Sequence, residues 1–284
     1  MKSRCALLIS ISLSTMVGCG AEPPKNDTHA VDSQESAFIT DNSLTDNSLT
    51  DNSLTDNSLT DNSLTDNSLT DNSLTDNALA AIQDPSGQGA LNRELLRYIV
   101  ACALKPDQSF DFSWTDTADA VHDEHYVGQL GLAPEWATGP LDKEGQEWVT
   151  ACLGAKVNYY GVHVTISVRS GEQPLKLHPF SDELDDFPHI EGAFWGNLWA
   201  PQPYMNACYK PSNVNNSRAQ QRDCASGHLL PDGTVEECGI INVVGPCSSV
   251  CKKFSWSRQY YEDCKQRPGQ SYKRTDHVIT TALP

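Results

Sequence analysis

From residue 80 onward the hydrophobic positions fall first at helical spacing and then at strand spacing. Leu91, Leu95, Tyr98, Ile99, Cys102 and Ala103 recur at steps of three and four, which predicts an amphipathic helix over 90–104, stopped by Lys105-Pro106. A loop with Gly and Pro follows. Trp148, Cys152, Ala155 and Tyr159 then form the stripe of a second helix over 142–159, with Gly161 beyond its end. Residues 162–168 alternate as a strand that ends at Ser170-Gly171. After Gly171, short apolar runs at 193–199 and 240–244 are separated by turns rich in Pro, Gly, Asn and Asp. The pattern predicts one α+β domain over 80–284, with two N-terminal helices followed by a β- and loop-rich part. Some 200 residues suffice to bury a real core.

The preceding segment has a different period. Residues 40–74 are seven identical copies of Thr-Asp-Asn-Ser-Leu, and 75–79 are an eighth with Ala78 in place of serine. On a helix the leucines would step by about 140° and wind around the cylinder, so no apolar face forms. A five-residue period resembles the right-handed β-helix of pentapeptide-repeat proteins. Here, however, Asn stands where that family prefers a small residue, and eight copies make only two coils. With one apolar residue in five, 40–79 reads as a disordered tether, joined to a polar linker over 19–39. About 60 such residues span ~45 Å as a coil and up to ~200 Å when pulled straight.

Residues 1–18 carry Lys2 and Arg4, then a short apolar stretch, and end Met16-Val17-Gly18-Cys19. This is the signal-peptide pattern. It resembles the lipobox of bacterial lipoproteins, with Met16 where leucine is usual. The resemblance implies cleavage before Cys19, acylation of that cysteine (palmitate and its companions) and permanent attachment to a membrane, since several chains anchor stably where one does not. Gly20 after the anchor looks like outer-membrane sorting. The alternative is an ordinary secretory signal cut near Gly20-Ala21-Glu22.

Of ten cysteines, Cys5 falls in the signal and Cys19 is the lipid site. The remaining eight are Cys102, Cys152, Cys208, Cys224, Cys238, Cys247, Cys251 and Cys264, an even set that in an exported chain predicts disulfides. Cys102 and Cys152 each sit on the buried stripe of a predicted helix, so they are expected to bridge the two. The pairing of the other six stays open. Cys247-x3-Cys251 lacks a second pair at metal spacing.

The net charge is −17, and acidic residues outnumber basic ones by eleven between Gly20 and Ala80. Such a chain is not a nucleic-acid binder and would not adhere to anionic lipid through its surface. His122-Asp-Glu-His125 is the densest titratable cluster. Two histidines three apart could share a helix face and hold zinc, but the His-Glu-x-x-His order and a third ligand are missing, and the favoured reading is an acidic loop with exposed histidines. His178 to Asp182, with Asp185, Asp186, His189 and Glu191, is a second cluster fit for acid–base work or calcium, without the order of an EF-hand loop. Cys152, His163 and Asn197 follow the order of thiol proteases in unrelated surroundings, and there is no Gly-x-Ser-x-Gly elbow. No catalytic residue is assigned, and neither a cofactor nor a metal is predicted.

Aromatic residues give the remaining signal. On a strand Trp195 and Trp199 point one way while Phe194 and Leu198 point the other. If Phe194 and Leu198 fill the core, the tryptophans form an exposed platform for a sugar ring or a partner protein; the alternative is that both faces are buried.

Residues 131–141, 148–168 and Glu191-Gly-Ala-Phe-Trp-Gly-Asn-Leu-Trp199 resemble uncharacterised lipoproteins of myxobacterial type with repeat-bearing N-termini. The resemblance supports an envelope address and implies no chemistry. The expected function is an envelope-anchored lipoprotein that binds a protein or glycan partner. The alternatives are an envelope hydrolase using His122, His125 or the Asp182–Glu191 cluster, and a structural spacer.

Overall fold

A computed structural model describes residues 39–42, 44–45, 81–139, 141–269 and 272–284. The signal segment, Cys19, the linker up to residue 38 and the repeat copies beyond Thr45 lie outside the described residues.

In chain order the elements are β1 (Ile39–Asn42), β2 (Leu44–Thr45), α1 (Gly87–Ala103), β3 (Ser109–Thr115), β4 (Val121–Val127), α2 (Lys143–Lys156), β5 (Val157–Asn158) and β6 (Val164–Arg169). They continue with α3 (Glu183–Asp186), β7 (His189–Asn197), β8 (Tyr204–Tyr209), α4 (Val214–Ala219), β9 (His228–Leu229), β10 (Val235–Glu236) and β11 (Ile241–Pro246). Last come α5 (Cys247–Val250), β12 (Cys251–Ser255), β13 (Tyr260–Lys265), β14 (Arg274–Thr275) and β15 (Ile279–Leu283). The fold is mixed α+β, with two N-terminal helices and then a β-rich part.

Both long helices form where the apolar spacing places them, except that the second ends at Lys156, short of Tyr159, and passes into β5. Helix α1 buries Leu95, Leu96, Ile99, Cys102 and Ala103 and ends just before Lys105-Pro106, because proline disfavours a helical predecessor. Helix α2 starts at Asp142, whose carboxylate accepts the Gly145 N–H at 2.7 Å, an N-cap that satisfies an otherwise orphan donor. The Cys102–Cys152 disulfide joins the two helices, Cα to Cα 6.0 Å.

The main sheet has the order β1-β6-β15-β7-β8-β11, antiparallel except for the β8–β11 pair. Helix α2 lies across one face. At Gly154 an added Cβ would stand 3.2 Å from Phe194 and from the Met205 sulfur, so glycine lets the helix come close to the sheet. Phe194, Leu198, Met205 and Ile279 join Val149 and Leu153 in this core. Ile190, Ala193, Trp195 and Ala282 face the other way and pack with Tyr261 and Cys264 of the three-stranded β12-β13-β14 sheet. Of three further disulfides, Cys208–Cys247 and Cys251–Cys264 lie in this second core, and Cys224–Cys238 lies in the first.

Three expectations change. The loop expected after α1 contains the β3–β4 hairpin, with Phe110 against Tyr126 and Trp114 against His122 in register. The first repeat copy does not begin as a free tether: Ile39–Asn42 form β1 on the edge of the main sheet, and Leu44–Thr45 form β2 beside β5 in a separate two-stranded sheet. The tryptophan platform is absent. Trp195 is fully buried because β12–β14 cover its face, and its indole N–H donates to the Lys265 carbonyl at 2.9 Å. Trp199 lies beyond the end of β7, half-buried against the other core.

Candidate functional site

The clusters singled out in the sequence do not converge. His122 and His125 sit on β4, where alternation sends neighbours to opposite faces. The expected shared helix face therefore does not exist. His122 Nε2 meets Asp116 at 2.9 Å and its ring stacks on Trp114, while His125 Nδ1 meets Asp111 at 2.5 Å. Asp182 precedes α3, His189 opens β7 on its exposed end, and Glu191 is buried two residues later. Among the described residues no hydrogen bond or ion pair joins the two clusters. Cys152 is disulfide-bonded and so cannot act as a nucleophile.

Two carboxylate–imidazole pairs escaped the sequence reading. Buried Asp223 accepts from His228 Nδ1 at 2.8 Å and from the Tyr160 hydroxyl at 3.3 Å, and the Tyr159 ring stacks on His228 with centroids 3.7 Å apart. The side chains of Asp223, Cys224 and Cys238 lie together, but the two cysteines are bonded to each other and offer no thiolate to a metal. The second pair joins Glu147 on α2 to His277 at 2.5 Å, with Gln266 donating to Glu147 Oε1 at 3.1 Å. Burial opposes charge on both groups. For His277 it is outweighed by the Glu147 hydrogen bond and by the charges of Glu147, Glu144 and Asp276, so the imidazole sits above its ordinary pKa. For Glu147 it is outweighed by His277 and Lys143, so the carboxyl sits below its own.

The surface best suited to a ligand is a groove on the β12–β13 hairpin. Its cavity of about 270 Å³ is lined by Lys210, Lys252, Lys253, Phe254, Trp256 and Tyr261, together with Ser248 and Cys251. The Cys251–Cys264 disulfide holds the hairpin at one end, and Phe254 stands opposite Tyr261 in register with ring centroids 4.7 Å apart. Trp256 meets the Phe254 ring edge-on at 4.9 Å yet remains 83% exposed. The end of β8 brings Lys210, whose Nζ lies 5.7 Å from the Phe254 ring centroid. Lys253 is 3.5 Å from Glu262, whose charge raises the pKa of the ammonium and keeps it protonated.

A signal for this groove was present in the sequence. Between Lys252 and Arg274 seven basic residues stand against two acidic ones, in a chain whose net charge is −17. An aromatic face beside ammonium groups matches a ligand that has an apolar ring face and negative charge together. Comparison of the chain with protein families, curated proteins and solved structures finds no match, so the site rests on its own residues.

Proposed function

We propose that the chain is an exported envelope lipoprotein, anchored through Cys19, whose domain binds an anionic glycan in the Phe254–Trp256 groove. The observation that carries the reading is Trp256, 83% exposed on a disulfide-held hairpin beside Lys210, Lys252 and Lys253. Trp256 is not isolated: with the half-buried Phe254 beside it, it forms an apolar face rimmed by ammonium groups, the kind of surface that marks a binding site. A sugar ring stacks its C–H face on the indole, while a carboxylate, sulfate or phosphate on the same chain pairs with the ammonium groups. The acidic remainder of the surface repels polyanions elsewhere and so focuses binding on this patch. The four disulfides fit an oxidising compartment, as the signal segment requires.

The test is binding of the full chain to immobilised uronate-bearing, sulfated and neutral polysaccharides. Affinity for the anionic chains should weaken by about tenfold or more in Trp256→Ala and in Lys252→Ala/Lys253→Ala, and should fall with salt. Equal affinity for neutral chains, or indifference to Trp256, would sink the reading. Incorporation of labelled palmitate, lost in Cys19→Ser, tests the anchor separately.

A further inference from the structure

The outer edge of the main sheet is occupied by the start of the repeat array. Ile39 stands opposite Ser167 and Asn42 opposite Val164 in the antiparallel β1–β6 pair. Leu44 stands opposite Val157 and Thr45 opposite Asn158 in the parallel β2–β5 pair. Ile39–Asn42 on this edge and Leu44–Thr45 beside β5 belong to the sequence Ile-Thr-Asp-Asn-Ser-Leu-Thr over 39–45. The chain offers it again: residues 44–50, 49–55, 54–60, 59–65, 64–70 and 69–75 all read Leu-Thr-Asp-Asn-Ser-Leu-Thr, differing only by leucine for isoleucine.

An edge strand is held by backbone ladder bonds, which are blind to sequence, and by side chains that alternate across it. Register is specified where the side-chain pattern is unique. Here a slip of five residues restores the backbone groups and the side chains alike, so the edge has no means of telling one copy from the next.

We infer that the β6 edge of the main sheet, with the short β5 strand beside it, is an acceptor for the Thr-Asp-Asn-Ser-Leu unit, and that the later copies of the same chain exchange with the first on it. The array is then clasped in steps of five residues. Each step moves five residues, ~17 Å when extended, from the segment between the clasp and α1 to the segment ahead of the clasp. Copies on the same chain hold an advantage over those of another molecule through their effective concentration, on the order of millimolar for short flexible connections. This inference does not depend on what the groove binds.

Hydrogen exchange of the full chain, read by mass spectrometry on peptides covering Val164–Arg169, tests it. In one variant Thr40→Pro and Asp41→Pro break the first copy; because the prolines are adjacent, one of them removes a ladder donor whichever amides face β6. In another, residues 39–79 are deleted. The proline variant should keep β6 protection within about twofold of the parent, and the deletion should lose about tenfold or more. If the prolines expose β6 as fully as the deletion does, only the first copy pairs and the inference fails. It fails equally if the deletion leaves β6 as protected as before. Protection that grows with protein concentration overturns it in favour of a second molecule as donor. A third variant, lacking residues 39–63, guards against misfolding of the full deletion. It retains later copies and keeps β6 protected under exchange, and loses that protection if Ile39–Thr45 alone can pair.

Discussion

The guanidinium of Arg222 donates to one oxygen of Glu191 from both Nε, at 3.2 Å, and Nη2, at 2.8 Å, and both side chains are fully buried. It also donates to the Ala155 carbonyl at 3.0 Å and to the Val157 carbonyl, while Thr281 Oγ1 donates to the same Glu191 oxygen at 2.9 Å. One ion pair thus ties the end of α2 to β7 and β15. Arg222→Met leaves an uncompensated buried carboxylate and should lower stability by about 3–5 kcal/mol in urea unfolding. Replacing both partners, as Arg222→Met/Glu191→Leu, should recover much of that loss. A single-variant cost under about 1 kcal/mol would contradict this account.

Trp195 and Trp256 should behave as opposites. Trp195 is fully buried between the two sheets, so Trp195→Ala is expected to cost about 3–5 kcal/mol. Trp256 is 83% exposed, and Trp256→Ala should change stability by no more than about 0.5 kcal/mol. Thermal or denaturant midpoints of the two variants decide the matter.

The Glu147–His277 pair should give stability a pH dependence of known sign. His277, with its pKa raised above 6.5, contributes fully below that value, and its contribution is lost as pH rises through the raised folded value. Glu147, lowered from 4.5, contributes above 4.5 and loses its contribution as pH falls through the depressed folded value. The stability difference between the parent and His277→Gln should therefore peak between these ordinary values and shrink on either side. A difference that stays flat from acid to alkaline pH would refute the assignment.

The disulfides should rank by the loops they close. Cys102–Cys152 spans 50 residues and Cys251–Cys264 spans 13. Paired serine replacement should cost about 4 kcal/mol for the first and about 3 kcal/mol for the second, through the freedom returned to the unfolded chain. Denaturation of the two double variants under non-reducing conditions measures the order.

What could be read in the sequence was what depends on neighbours along the chain. The helices follow from steps of three and four, and Cys102 and Cys152 could be paired because each lies on the apolar stripe of its helix. The alternation Phe110-x-Phe112-x-Trp114 was equally local, but the Asp and His residues between and across from it made the hairpin look like an acidic loop. The environment of Trp195 could not be read locally. Both faces of β7 are covered, one by α2 before it and the other by β12–β14 more than fifty residues after it. The Asp223–His228 pair depends in the same way on Tyr159 and Tyr160, over 60 residues earlier. The groove was visible only as a reversal of charge after Lys252, and charge sign along the chain does not say which aromatic ring will stand beside the lysines.

The strand between β6 and β7 is β15, although β7 ends at Asn197 and β15 begins only at Ile279. A chain emerging N-terminus first can close its helical pair and its local hairpins early, but the middle of the sheet has to wait. Until residues 279–283 arrive, β6 and β7 each present an unmatched edge, with Val168 and Phe194 lacking their neighbours. The centre of the sheet is therefore closed by a strand made long after its two neighbours. Because every disulfide cysteine precedes residue 279, removing β15 would leave all four bridges possible while two strand edges lay open.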